Sequence, residues 1–195
     1  MSKNNIVTFG LKNVHYAKAK QSDDGTWTFE KPNKLVGAQE FSSDIIGGST
    51  PVYADDQVVT TLNQNAGRTI SLKVTTLPDD FKTEILGYSK LENGNLVEVT
   101  NAPVITFALG FEFQGDVKAR RVWYFLCTVT PVSEATKSNT ESVEANETTL
   151  TISARPIEAN SGYMISHQIA SKGDSNYDTF FASVPTLPTI QGDEE

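Results

Sequence analysis

Strict alternation of apolar side chains in the middle of the sequence constrains the fold more than any other feature. From residue 105 to residue 113 every second side chain is large and apolar: Ile105, Phe107, Leu109, Phe111 and Phe113. Small or polar residues fill the positions between them. Because successive side chains of a β-strand point to opposite faces, this spacing predicts a strand with one buried face.

A second strand is predicted after the turn residues at 114–116. The segment 120–129 is apolar at both parities, so the two segments predict a long hairpin. One predicted face of the second strand carries Trp123, Phe125, Cys127 and Val129, and the other carries Val122, Tyr124 and Leu126. Such a strand needs cover on both faces, either from its own fold or from another subunit. Val122, Tyr124 and Leu126 are therefore candidates for an inter-subunit strand.

The other periodic segments favour further strands and one helix. Residues 70–74 and 150–154 alternate apolar and polar side chains, which is typical of strands with one solvent-exposed face. Residues 78–87 instead begin with proline and two aspartates and end with Gly87, as a short helix does. The chain is therefore predicted to be mainly β, with one short flanking helix at about residues 78–87.

Two long stretches and the C-terminal segment lack this periodicity. Residues 42–57 and 133–148 are rich in glycine or polar residues, which is typical of long loops that bind partners or stay disordered. A chain of 195 residues favours one domain with arms. We place the domain at residues 1–156, including a 42–57 loop, and a C-terminal arm at residues 157–195. That arm keeps enough large apolar residues to dock in part, and its acidic end is predicted to be disordered.

Charge and composition argue against several classes of protein. The net charge of −8 opposes a protein that grips nucleic acid, because that task requires lysine and arginine to neutralise phosphates. The only basic cluster, Lys118, Arg120 and Arg121, is short and favours salt bridges at a rim. No apolar run approaches the ~20 residues of a membrane-spanning helix, and the first residues lack a signal peptide, so we expect folding in the cytosol without membrane contact. The single cysteine, Cys127, is expected to be a buried, unreactive thiol.

Signals for catalysis are sparse. Neither His15 nor His167 has a second histidine or a cysteine at a spacing typical of metal ligands. The sequence also contains no phosphate-binding or nucleophile-elbow motif. Adjacent acids such as Asp55 and Asp56 diverge in a strand and suit turns better than a calcium site. We therefore expect no enzyme activity, no cofactor and no metal site.

Five segments, taken in order, carry a resemblance to a known family. They are residues 7–17, 48–55, 77–81, 107–113 and 148–154. In this order they resemble segments of the major tail proteins, or tail tube proteins, of long-tailed, siphovirus-type phages of Gram-positive bacteria. The resemblance covers roughly residues 6–156.

The resemblance implies a tail-tube-like β-sandwich or partial barrel that forms hexameric rings, which stack into a tube for genome ejection into the host. It also implies that the N-terminal segment, the C-terminal arm and one loop make ring-to-ring contacts. The residues of that inter-ring loop are Gly48, Ser49, Thr50, Pro51, Val52, Tyr53, Ala54 and Asp55. The implied partners are further copies of the chain, tail tip, tail terminator and length-measuring proteins, and double-stranded DNA in transit. The implied location is the virion tail, after a stage in the host cytoplasm.

Two other functions stay open at this level. A tube protein of a contractile injection system shares the implied fold but works with a sheath. A β-sandwich carbohydrate-binding or adhesion module could use Trp27, Tyr53 or Tyr88 as a stacking platform for sugars. A hydrolase with paired carboxylates is not supported, because no acid and base can be placed together.

Overall fold

One antiparallel sheet organises the chain in the computed structural model, which describes residues 10–54, 56–132, 147–159 and 162–189. The elements are β1 (Leu11–Gln21), β2 (Trp27–Phe29), β3 (Asn33–Lys34), β4 (Ala38–Ala54), β5 (Gln57–Val74), α1 (Asp79–Glu84), β6 (Tyr88–Lys90), β7 (Leu96–Glu98), β8 (Phe107–Phe113), β9 (Arg121–Val129), β10 (Thr148–Arg155), β11 (Ile157–Glu158), β12 (Met164–Ile165) and β13 (His167–Ala170). The prediction of a mainly β fold with one short helix is confirmed.

The strands of the main sheet follow the order β2–β1–β8–β9–β10–β5–β4, with β3 also on β1 and β13 also on β9. The predicted hairpin is β8 paired with β9, with Phe111 opposite Val122. The two predicted strands with one wet face, residues 70–74 and 150–154, pair with each other in β5 and β10. β6 and β7 form a separate small hairpin. The architecture therefore fits a β-sandwich or partial barrel.

The helix α1 closes one part of the inner core. Pro78 precedes it, and the two aspartates lie in its first turn, where the helix dipole favours negative charge. Its Phe81 is fully buried, and the ring packs edge-to-face on Tyr16 at 4.9 Å between centroids. Gly87 follows at a φ of 77°, a conformation that side chains with a Cβ rarely adopt. The helix is thus shorter than the predicted 78–87 but lies in the predicted place.

A β-bulge in β9 changes which residues share a face. Phe107 pairs with Cys127, whereas Leu109 pairs with Tyr124, so β9 uses one more residue than β8 over this stretch. Cys127 therefore joins Val122 and Tyr124 in the inner core, and Leu126 joins Phe125 in an outer cluster. The predicted division of β9 into two strictly alternating faces is wrong from Leu126 onwards. Cys127 is fully buried, and burial raises the pKa of its thiol, as an unreactive cysteine requires.

The C-terminal segment covers the outer face of β9. β13 pairs antiparallel with β9, and Trp123 Nε1 donates a hydrogen bond to the Phe180 backbone oxygen at 2.7 Å. Phe180 itself is buried in a cluster with Trp123. The docked part of the predicted C-terminal arm thus contributes a strand to the main sheet. Its acidic end and most of the 133–148 stretch lie outside the described residues.

The candidate inter-subunit strand is corrected by this packing. Val122, Tyr124 and Leu126 are 2%, 5% and 5% exposed within the single chain. The inner core covers Val122 and Tyr124, and the outer cluster covers Leu126. Their side chains are therefore unavailable to a neighbouring subunit, because the chain supplies its own cover on both faces.

Candidate assembly surface

A long two-stranded ribbon extends from the sheet. β4 and β5 pair from Ala38 opposite Val74 to Ala54 opposite Gln57. β10, however, pairs with β5 only along residues 68–74. Among the described residues, no third strand therefore lies beside residues 46–66 of β4, β5 and their turn, and we call these residues the hairpin arm.

The hairpin arm corrects the prediction of a 42–57 loop. Residues 42–54 belong to β4, and β5 resumes at Gln57. The glycines and Pro51 suggested a loop, but β4 is the edge of the sheet, where a proline is tolerated because one side of the strand donates no ladder bonds. Gly47 lies at a register shift, where a Cβ would overlap the Gln64 carbonyl oxygen. These residues therefore shape a bulged edge strand.

The surface of the hairpin arm combines exposed apolar side chains with uncharged polar ones and carries almost no charge. Ile46, Val52, Tyr53 and Val59 are exposed on it, and Ile45 is exposed directly beneath it. Between residues 45 and 66 the only charged residues are Asp55 and Asp56. An isolated two-stranded ribbon is marginally stable in water, and an uncharged exposed edge is a template for another strand. The arm is therefore suited to pairing with another chain.

The predicted inter-ring residues lie on this arm. Gly48 to Ala54 form the second half of β4, and the described side chains from Gly48 to Tyr53 are exposed. Asp55 lies outside the described residues. The structure thus gathers this set on one protruding element, together with residues of β5 that the sequence analysis did not single out.

A polar site marks the base of the arm, where β5 leaves β10. Arg68 lies on the same face of β5 as buried Ile70, and its Nη1 donates a long hydrogen bond of 3.5 Å to Ser43 Oγ. The His167 ring packs against Tyr124 at 5.2 Å between centroids. We call Ser43, Arg68, Tyr124 and His167 the arm-base site.

The arm-base site contains two buried nitrogens, Arg68 Nε and His167 Nδ1, that have no hydrogen-bond partner within the described part of the chain. Burial lowers the pKa of His167, and the charge of Arg68 lowers it further. Burial also raises the pKa of Tyr124, so its phenol stays neutral. No local motif signals this site, because its four residues come from β4, β5, β9 and β13. The one sequence feature that could have indicated it is the positive charge of Arg68, which comes just before the 70–74 alternation on the face of the apolar residues.

The basic cluster forms salt bridges, as predicted. Arg120 Nε pairs with Asp116 at 2.5 Å, and Arg121 Nε pairs with Glu112 at 3.3 Å. Lys12 Nζ also reaches Glu112, at 2.9 Å. Two of the three cluster residues are therefore neutralised within the chain, which removes them as a patch for DNA.

Arg121 also fixes the C-terminal segment to the sheet. Its guanidinium carbon lies 3.9 Å from the centroid of the Tyr177 ring, and Nη1 donates to the Tyr177 backbone oxygen. His15 stacks on Phe181 at 4.7 Å, and burial lowers the pKa of His15. These contacts close the outer face beside Trp123, so this face is packed within the chain.

The three aromatic residues considered for sugar binding lie in different parts of the fold. Trp27 packs against the outer cluster, Tyr88 begins β6 beside Lys82, and Tyr53 is exposed on the hairpin arm. In the part of the chain that the structure describes, no group of three or more His, Cys, Asp or Glu is arranged to hold a metal ion. No helix among the same residues is long and apolar enough to cross a membrane.

An antiparallel sheet with a protruding strand ribbon that carries almost no charge is suited to a structural subunit that pairs with other chains. Comparison with known families agrees, since the family model of phage tail tube proteins matches residues 8–184. The chain belongs to the phage tail tube protein family. No curated protein matches it.

Family membership confirms the sequence prediction at the level of a tail tube protein. The chain is a structural protein of the phage tail, and this family is not an enzyme family. Its location is the virion tail, and self-assembly into a tube with other tail proteins follows from the family.

Proposed function

We propose that this chain polymerises as hexameric rings, that these rings stack into the tail tube of a long-tailed phage of a Gram-positive host, and that the tube conducts the genome during ejection. Membership of the tail tube family supports the structural role. The observation that carries the assembly step is the hairpin arm, because it has unpaired strand edges and an exposed apolar surface with almost no charge.

The edges of the arm explain why copies associate. β4 is the free edge of the sheet, and β5 loses its second neighbour beyond Arg68. Pairing with strands of neighbouring copies satisfies backbone groups on these edges and buries side chains such as Tyr53 and Val59. A head-to-tail arrangement that closes into a ring leaves fewer exposed edges than an open chain does.

The charge of the chain supports passage of DNA. A wall that neutralises phosphates releases counterions and holds DNA, whereas a wall of like charge lets it slide. A net charge of −8 agrees with the second case. In this proposal tail tip, tail terminator and length-measuring proteins are the other partners, and the free subunit folds in the host cytoplasm.

An armless variant tests the assembly role. Ile46 pairs with Gly67, so residues 47–66 can be replaced by Asn-Gly, a two-residue turn that preserves the register of the remaining hairpin. We expect a folded monomer by light scattering and circular dichroism, and no rings or tubes by negative-stain electron microscopy, whereas the unaltered chain forms them.

The β6–β7 hairpin provides the matched control. Lys90 pairs with Leu96, so residues 91–95 can be replaced by Asn-Gly in the same way. This control should still assemble. Tubes formed by the armless variant would contradict the assembly role of the arm, and an unaltered chain that stays monomeric at every concentration would contradict self-assembly itself.

A further inference from the structure

We propose that the acidic tip of the hairpin arm of one copy binds the arm-base site of the next copy along the tube. The proposal rests on the self-assembly proposed above and names the contact that sets how far apart successive copies lie. It pairs Asp56 of one copy with Arg68 of another, beside His167.

The first argument is the unsatisfied charge of Arg68. Among the described residues, its Nε is buried without a partner, and its Nη1 makes only the long bond to Ser43. None of the ion pairs among the described residues includes Arg68. A buried guanidinium nitrogen without an acceptor is costly, and a carboxylate is the acceptor that matches a guanidinium best.

The second argument is the neighbouring His167. Its Nδ1 is also buried without a partner, and the Tyr124 ring holds the imidazole in place. The charge of Arg68 also acts on the His167 ring, so the two side chains are neighbours at the base of the arm. The half-buried charge of Arg68 therefore lies beside His167 without a carboxylate partner among the described residues.

The third argument is the distribution of charge along the arm. Asp55 and Asp56 are its only charged residues and are adjacent in the sequence, and Asp56 is exposed in the turn between β4 and β5. Arg68 lies at the opposite end, paired with Ile45. At about 3.3 Å per residue the strand from the base to the tip is about 30 Å long, so a chain cannot bring its own tip to its own base.

Charge complementarity thus selects a second copy as the occupant. A tip that binds the base of the next copy makes a head-to-tail contact, which propagates along an assembly instead of closing on two copies. A DNA phosphate has related chemistry, but one half-buried arginine on a chain of net charge −8 is a poor site for a polyanion.

Charge reversal tests the pairing. The variants are Asp56→Lys, Arg68→Glu and the double variant that carries both, each checked for folding by thermal melting and assayed for polymerisation by pelleting. We expect each single variant to raise the critical concentration by at least about tenfold, as loss of a buried charge pair at an interface does. The double variant should return close to the unaltered value, because the two exchanged charges again attract each other across the contact.

Two surface variants serve as matched controls. Arg155→Glu makes the same charge change on β10, where Arg155 follows the residue that pairs with Arg68 and is exposed on the opposite face. Asp23→Lys makes the tip change at an exposed turn elsewhere. Both should polymerise normally. If Arg68→Glu fails to fold, Arg68→Gln replaces it with the same expected direction. Asp56 has a φ of 60°, which suits asparagine and aspartate, so Asp56→Asn, which removes the charge and keeps the turn, accompanies Asp56→Lys with the same expected direction.

The outcomes separate this proposal from the one before it. If the armless variant fails to assemble while Asp56→Lys and Arg68→Glu assemble normally, the arm has its role but the pairing is refuted. Two defective single variants with no recovery in the double variant also refute it. Normal assembly of Arg68→Gln combined with weaker binding of short duplex DNA to the tubes would assign Arg68 to DNA instead. An unaltered chain that never assembles refutes both proposals.

Discussion

Replacing Phe111 with alanine measures how much the inner core depends on its central aromatic cluster. Phe111 is 1% exposed, and its ring lies 4.2 Å from Phe41, 5.2 Å from Phe113 and 6.3 Å from Tyr124 between centroids. The substitution removes this buried ring and leaves a cavity, since strands β4, β8 and β9 all contribute backbone that cannot collapse into it. The expected loss in free energy of unfolding is about 3–5 kcal/mol.

The assay is thermal and urea denaturation of the armless monomer, which removes polymerisation from the equilibrium. For a domain of this size each kcal/mol lowers the melting temperature by about 2–4 °C, so we expect a decrease of about 6–20 °C. Phe113→Ala is the control on the same strand and face, because Phe113 is only partly buried at the strand end; it should cost less. A Phe111→Ala variant within about 1 kcal/mol of the unaltered chain would refute the packing argument.

Two further predictions concern the arm and the outer face. Gly47→Ala should impair polymerisation without lowering the melting temperature of the sheet, because its Cβ would overlap the Gln64 carbonyl. At Gly48→Ala the added Cβ meets nothing within 4 Å, so this control should assemble normally. Equal assembly of the two variants would contradict the role of the bulge. Burial alone raises the pKa of Glu112, but hydrogen bonds from Lys12 and Asn13 outweigh it and lower the pKa below 4.5. The ionised carboxylate therefore stabilises the fold above about pH 4.5, and this stability is lost as the pH falls through the folded-state pKa. Denaturation as a function of pH should therefore show a smaller acid loss for Glu112→Gln than for the unaltered chain, and identical pH profiles would contradict it.

Local patterns predicted the elements whose large apolar side chains share one face. The alternation at residues 105–113 identified β8 because its large side chains face the inner core, but the small residues on its other face are buried too, so the prediction of a single buried face is wrong. Proline with two acids identified α1 because these residues suit a helix start. β9 is apolar at both parities, so no pattern could reveal the bulge that moves Cys127 inward. That shift is set by pairing with β8, which the sequence of β9 alone does not encode.

The sequence predicts the candidate assembly surface only in part, because strand pairing and not local pattern decides its conformation. Glycines and Pro51 indicated an irregular loop, whereas backbone pairing with β5 makes the segment a strand. The predicted loop therefore lies at the correct place along the chain, but its predicted conformation is wrong. The arm-base site could not be anticipated, because Arg68 and His167 meet only after β10 and β13 align along the same edge of β9.

The position of β13 beside β9 has a consequence for synthesis of the subunit. The β4–β5 ribbon joins neighbouring parts of the chain and can form early, whereas Trp123 waits for Phe180 to cover it. A ribosome-bound chain thus exposes a folded hairpin arm and the uncovered Trp123 face of the sheet at the same time. We expect chains that end before β13 to aggregate, so that only fully translated subunits reach the soluble pool from which a tube is built.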